Sequence, residues 1–281
     1  MSVRIGVVQP RSLTGKDEHR NGAEALAWLE RAARAGAELV VFPEGYPGPV
    51  SPGNSYDAFG PLAAKAAELG LHVVASRIVP VAGGHALELA LIDDTGAVAG
   101  AYRRTTPVGP YIYHDIDAWG FDYVASDVPP HVVETRLGRI GLLVCSEVYP
   151  PELSRLLALQ GADLIVYPAG GAINELLPAW RNLVWSRAIE NLVFTAACQN
   201  LYGDEEGVAI IAAPEGVLAQ SAGEGLLCAD LDLERLAFLR QEDERIEFPK
   251  RYATIPGVIR WRRPELFGAL AASDRAAEGR A

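Results

Sequence analysis

Apolar residues alternate with polar ones, or run on without a break, in nine short stretches: VRIGVVQP, ELVVFPEG, LHVVASRI, ALELALIDDTG, GRIGLLVCS, ADLIVYPAG, LVFTAACQN, GVAIIAAPEG and GLLCADLD. Each is short enough for a β-strand and is bounded by turn-forming residues. Between several of them, apolar positions recur at helical spacing, in DEHRNGAEALAWLERAARAGA, DAFGPLAAKAAELG, PPELSRLLALQGA and ELLPAWRNLVWSRAIEN. Strands alternating with helices, plus strands that follow one another through DDTG and APEG turns, predict an α/β fold: a mixed sheet covered by helices. No Gly-, Pro- or Ser-rich linker divides the pattern and no fixed period repeats, so one domain is expected over residues 1–267. Beyond Phe267 the sequence GALAASDRAAEGRA is small and polar, which predicts a loosely ordered tail over 268–281.

Composition adds little, since 49% hydrophobic and 22% charged residues over 281 positions describe an ordinary chain with a packed core. Charge adds more. A net charge of −11 and a pI near 5.0, with no basic stripe to offset them, argue against nucleic acid and anionic membrane surfaces as partners. The opening MSVRIGVVQP lacks a charged segment leading into a long apolar run, and no window approaches ~18 uninterrupted apolar residues. A cytoplasmic protein is expected. Three widely spaced cysteines form neither a disulfide ladder nor a CxxC pair, and the five histidines show no HExxH pattern, so no metal is called for.

In open α/β folds, ligands gather beyond the carboxyl ends of strands, where loops hold reactive groups over a rigid sheet. Three apolar strands end on such groups: VVFPEG at Glu44, GAYRRTTP near Arg104 and LLVCSEVYPPE at Cys145. Each has a plain structural alternative when taken alone. Free cysteine is among the most buried residue types, and glutamate and arginine ordinarily face water.

Together with their surroundings the three resemble the nitrilase, or carbon-nitrogen hydrolase, superfamily. RIGVVQP, ARAGAELVVFPEG, ALIDDTGAVAGAYRR, ETRLGRIGLLVCSEVYPPE, GADLIVYPA, SRAIENLVFTAACQN and RRPELF carry the likeness over nearly the whole chain. The resemblance implies a nitrilase-like α-β-β-α sandwich and a Glu, Lys, Cys catalytic set. It implies that Glu44 is the general base and Cys145 the nucleophile, attacking a small amide, carbamoyl compound or nitrile to form an acyl-enzyme that water releases. No cofactor is required. Relatives are usually homo-oligomers, so a homo-oligomer acting on a small-molecule substrate is expected.

The residues support the first two assignments independently. A thiol with a reference pKa of ~8.5 needs either a depressed pKa or a neighbouring base, and Glu44 can be that base. The turn after Cys145 can aim the N–H groups of Ser146 and Glu147 at an oxyanion, helped by a helix starting in PPELSRLLALQ with Pro at its first turn.

Two departures stand out. The family's lysine position falls on Arg104, and the only lysines are Lys16, Lys65 and Lys250. A guanidinium is planar, bidentate and permanently charged, so Arg104 can donate to an oxyanion or grip a substrate carboxylate but cannot hand over a proton. Arg103 should lie on the opposite face of its strand. The loop TTPVGPYIYHDIDAWGFDY also lacks the second glutamate common in the family; Tyr111 stands near its place, with His114, Asp115 and Asp117 nearby. Glu147 either fixes the turn or touches substrate, and Tyr149 packs or lines the pocket. Cys198, Cys228, Trp180 and Trp185 read as core, although exposure of the tryptophans would point to a subunit contact. Two other readings stay open: a ligand- or partner-binding relative without activity, and acyl transfer from the same thioester to an acceptor other than water.

Overall fold

All nine apolar runs are strands and all four helix-spaced stretches are helices in the computed structural model, which describes residues 1–51, 53–106, 124–171, 176–241 and 262–271. The strands form two sheets rather than one. In the first the order is β12 (Gly225–Asp232), β1 (Ser2–Gln9), β2 (Leu39–Val41), β3 (His72–Val81), β4 (Gly84–Ile92) and β5 (Val98–Arg103). In the second it is β11 (Gly216–Ser221), β10 (Ala209–Ala213), β9 (Phe194–Gln199), β8 (Leu164–Ala169), β7 (Gly138–Leu142) and β6 (Val132–Thr135).

Each sheet has a parallel centre and antiparallel flanks. Strands β1, β2 and β3 run parallel, as do β7, β8 and β9. Helical crossovers make this possible: α1 (Arg20–Arg34) and α2 (Phe59–Leu69) in the first half, α3 (Pro151–Leu159) and α4 (Leu177–Asn191) in the second. A further helix, α5 (Leu233–Arg240), follows β12 and is N-capped by Asp232, whose carboxylate accepts from Arg235 N at 2.9 Å.

Side-chain alternation explains why the sheets pair. In β1, Val3, Ile5 and Val7 enter a core shared with β7, β8, β9 and β10, whereas Val8 packs with α1 and α2. In β2, Leu39 and Val41 take the first side and Val40 the second. A strand with apolar residues on both faces needs cover on both faces, and the result is an α-β-β-α sandwich. The single mixed sheet expected from periodicity alone is therefore corrected to two, because period-2 patterning reports burial of a face without saying what covers it.

Strands β6 and β11 and helix α5 were not among the predicted elements. Gly268–Ala271 form one helical turn, and 272–281 lie outside the described residues. Cys198 is fully buried, but Cys228 is only partly so because β12 is an edge strand. Trp180 is buried and Trp185 partly buried. No helix among the described residues is long and apolar enough to cross a membrane.

Candidate active site

Five strands of the two sheets end around one point. Strand β2 leads through Phe42 and Pro43 to Glu44, and β5 leads directly to Arg104. Strand β7 leads to Cys145, while the neighbouring β8 and β9 lead to Gly170 and Asn200. The first sheet thus supplies two charged side chains and the second supplies the thiol.

Cys145 opens a 3-10 turn, Cys145–Val148, with φ +49°, a left-handed conformation that costs an ordinary residue about 1–3 kcal/mol and is common where function needs it. The donors beside the thiol belong to this turn, and helix α3 begins just after it, at Pro151, with proline in its first turn. The turn's first internal bond runs from Glu147 N to Val144 O at 2.9 Å. The Ser146 N–H precedes it, among the donors that such a turn leaves without an internal partner. Gly141 lets Leu157 of α3 pack closely on β7, since a Cβ there would stand 2.7 Å from Leu157 Cδ1.

Glu44 is 5% exposed and Arg104 1% exposed, and Arg104 Nη1 donates to Glu44 Oε1 at 2.9 Å. Arg104 Nε donates to Thr106 O at 3.1 Å, and Nη2 donates to Ser146 Oγ. All three guanidinium nitrogens are therefore held by the protein, which makes Arg104 a fixed donor and not a free fork. The Cys145 thiol lies beside the Glu44 carboxylate, and the Gly170 backbone lies beside both. A Cβ at Gly170 would stand 3.1 Å from Glu44 Oε2 and crowd the carboxylate. Asn200 Nδ2 donates to Glu44 O at 2.8 Å and to Gly170 O at 2.7 Å, while its Oδ1 accepts from Ser12 Oγ at 2.6 Å.

Burial raises the Glu44 carboxyl above its ordinary value, against the opposing pull of Arg104 and the thiol hydrogen bond. Burial, followed by the charge of Glu44, pushes the Cys145 thiol up to about 12. Burial thus favours the protonated form of both groups and sets a thiol beside a carboxylate of raised affinity for protons.

Glu147 is fully buried and serves the architecture. Its Oε1 accepts from Tyr102 Oη at 2.7 Å, Thr105 N at 3.0 Å, Thr105 Oγ1 at 3.0 Å and Thr106 N at 2.9 Å; its Oε2 accepts from Val144 N at 2.9 Å. One carboxylate thus ties the segment after β5 to the turn carrying Cys145. Tyr149 is 43% exposed, and its ring lies 6.1 Å from that of Trp180. Arg103 faces the other way and pairs with Glu88 at 3.0 Å. Lys16 is exposed and Lys65 binds Glu30 and Glu68 on the helix layer. Tyr111, His114, Asp115, Asp117 and Lys250 lie outside the described residues.

The structure brings Glu44, Arg104, Cys145 and Ser146 together. Gly170 and Asn200 were missed, although the strand-end rule that singled out three strands applies equally to β8 and β9. Among the described residues, no group of three or more His, Cys, Asp or Glu side chains is placed to hold a metal.

A family model described as carbon-nitrogen hydrolase matches residues 4–241. A nitrilase of Bradyrhizobium diazoefficiens is 28% identical over 57% of this chain, which spans only 56% of that relative's length. A deaminated glutathione amidase of Synechocystis is 31% identical over 60% of this chain and 68% of its own. A hydrolase of Mycobacterium tuberculosis is 32% identical over 67% and 69%. Among solved structures, a carbon-nitrogen hydrolase from Helicobacter pylori superposes with a TM-score of 0.81 at 20% identity, covering 97% of this chain and 99% of that one. A variant of an amidase from Nesterenkonia superposes at 0.74 with 22% identity, over 95% and 96% of the two chains; it shows covalent addition of the acetamide moiety of fluoroacetamide at the active-site cysteine.

Proposed function

The chain belongs to the carbon-nitrogen hydrolase family, and from that premise we propose that it hydrolyses a non-peptide C–N bond of a small amide, carbamoyl compound or nitrile through an acyl-enzyme on Cys145. The observation that carries this reading is the convergence of the Cys145 thiol on a buried Glu44 carboxylate that Arg104 grips at 2.9 Å.

For an amide, Cys145 Sγ attacks the carbonyl carbon as its proton passes to Glu44, and the carbonyl oxygen becomes an oxyanion. The Ser146 N–H and the guanidinium of Arg104 supply positive potential to that oxygen, which is already in place before charge develops. The C–N bond then breaks and Glu44 returns the proton to the departing amine. Water attacks the thioester, Glu44 takes a proton from it, and the S–C bond breaks to give the acid and the free thiol. Each proton that leaves a nucleophile is carried by the same carboxylate.

The guanidinium's engagement with Glu44, Ser146 and Thr106 supports an oxyanion role for Arg104 over capture of a substrate carboxylate. The thiol adduct in the Nesterenkonia amidase supports the same nucleophile here. The test is ammonia release from panels of small amides, carbamoyl compounds and nitriles, with trapping of a Cys145 adduct by mass spectrometry. Turnover that Cys145→Ala abolishes is the expected result; turnover that survives Cys145→Ala sinks the proposal.

A homo-oligomer forms part of this reading. Leu156 and Leu159 on α3 are exposed close to Phe267 and Leu270, an apolar face suited to a second subunit. Light scattering that finds only monomer at micromolar concentration would remove it.

A further inference from the structure

The motif SRAIEN, at the end of α4, contributes no group to the chemistry above, yet it buries an arginine. Arg187 is 6% exposed and points from α4 at the carboxyl side of the Cys145–Val148 turn. Its Nε donates to Val148 O at 2.9 Å and its Nη2 to Tyr149 O at 3.0 Å. Its Nη1 donates to Glu190 Oε1 at 2.6 Å, one helical turn along. A buried charge is retained only when its donors are satisfied, and here two of three contacts are carbonyls of the catalytic turn and the residue that follows it.

This geometry complements the grip on the other end of the same turn. Glu147 fixes its start through Val144 N, and Arg187 fixes its finish. Cys145 lies between these anchors in a left-handed conformation that no isolated chain favours. The turn has only four residues, so release at either end allows Cys145 and the Ser146 N–H to rotate away from Glu44 and from the oxyanion position.

We propose that Arg187 is a positioning residue for the proposed thiol chemistry: by clamping the carbonyls of Val148 and Tyr149, it holds Cys145 and the Ser146 N–H in attacking geometry. The role depends on the two-pronged shape of the guanidinium, since a lysine ammonium carries the same charge but does not reproduce the planar fork. The inference rests on the reading of Cys145 as nucleophile and adds a residue that touches neither substrate nor the reacting atoms.

The probe is p-nitrophenyl acetate, whose acyl group would pass to Cys145 with release of p-nitrophenolate, so that a burst reports acylation without knowledge of the natural substrate. Wild type, Cys145→Ala, Arg187→Lys and Glu190→Gln are compared per mole of folded protein, with thermal midpoints measured alongside. Misplacement by about 1 Å lowers rates by about 100-fold, so Arg187→Lys should slow the burst by roughly 10- to 100-fold while the half-saturating ester concentration changes by less than about threefold. Glu190→Gln, which keeps the clamp but loosens its support, should slow it by about threefold, short of the loss that misplacement brings. A wild-type burst that Arg187→Lys leaves unchanged, with only the thermal midpoint lowered, overturns this inference alone. A wild-type chain with no Cys145-dependent burst overturns the thiol reading and this inference with it.

Discussion

Glu44 and Glu147 are both buried beside the same turn, and they are held in opposite ways. Glu147 accepts five hydrogen bonds, three from backbone N–H groups, which tie Val144, Thr105 and Thr106 together. Glu44 is positioned through its main chain by Asn200 at its carbonyl, while its carboxylate faces Arg104, the Cys145 thiol and the Gly170 backbone. A carboxylate surrounded by fixed donors is an anchor. One that meets a thiol, in a site that raises its affinity for protons, has the surroundings that the base role proposed for Glu44 requires.

The comparison is sharpened most by exchanging the acids one at a time. Glu44→Gln should slow acylation of Cys145 by about 100- to 10,000-fold, the usual range for a general base, with little loss of folded protein. Burst kinetics beside a thermal melt test both halves. The wild-type pH profile belongs to the same experiment. Because burial raises the Glu44 pKa, the base becomes protonated at a higher pH than an exposed glutamate, and the acid limb should be displaced upward from the ordinary carboxylate range. An acid limb at the ordinary value would break the assignment.

Glu147→Gln should reverse the pattern. It sets an amide NH2 against donors that had faced an oxygen, with an expected stability loss on the order of 3 kcal/mol and a smaller effect on acylation per folded molecule. Urea denaturation measures the loss; a variant as stable as wild type would deny Glu147 its anchoring role. Arg104→Lys should lower the burst rate by about tenfold, because one ammonium cannot reproduce the planar contacts to Glu44, Ser146 and Thr106 together. An unchanged or faster burst would remove any special role for the guanidinium. Tyr102→Phe, which deletes one of Glu147's five donors, should cost about 1 kcal/mol and leave the burst within about threefold.

Much of this was legible in the sequence because chemistry follows apolar runs directly at Glu44, Arg104 and Cys145. The strands before Glu44 and Cys145 are largely buried, β5 buries Tyr102 just ahead of Arg104, and each strand's end fixes the location of the residue after it. The missed elements lacked that signal. Strand β6 has only the four residues VVET, and β11, GVLAQS, lies at a sheet edge with no fully buried position. Helix α5 directly follows β12, and its short pattern continues an apolar run. The partners of the site were hidden for another reason. That Asn200 reaches the carbonyls of Glu44 and Gly170, or that Arg187 reaches those of Val148 and Tyr149, depends on contacts between segments 30 or more residues apart. The role of Glu147 was undecided until its five donors could be named.

Glu44 hangs from the first sheet and the sulfur of Cys145 from the second, with Asn200 at the end of β9 reaching across to Glu44. The spacing between reactants is thus also the spacing between two layers of the fold. A small slippage of one layer against the other separates sulfur from carboxylate while every strand keeps its own ladder, so mild denaturant should silence the protein before it loses secondary structure.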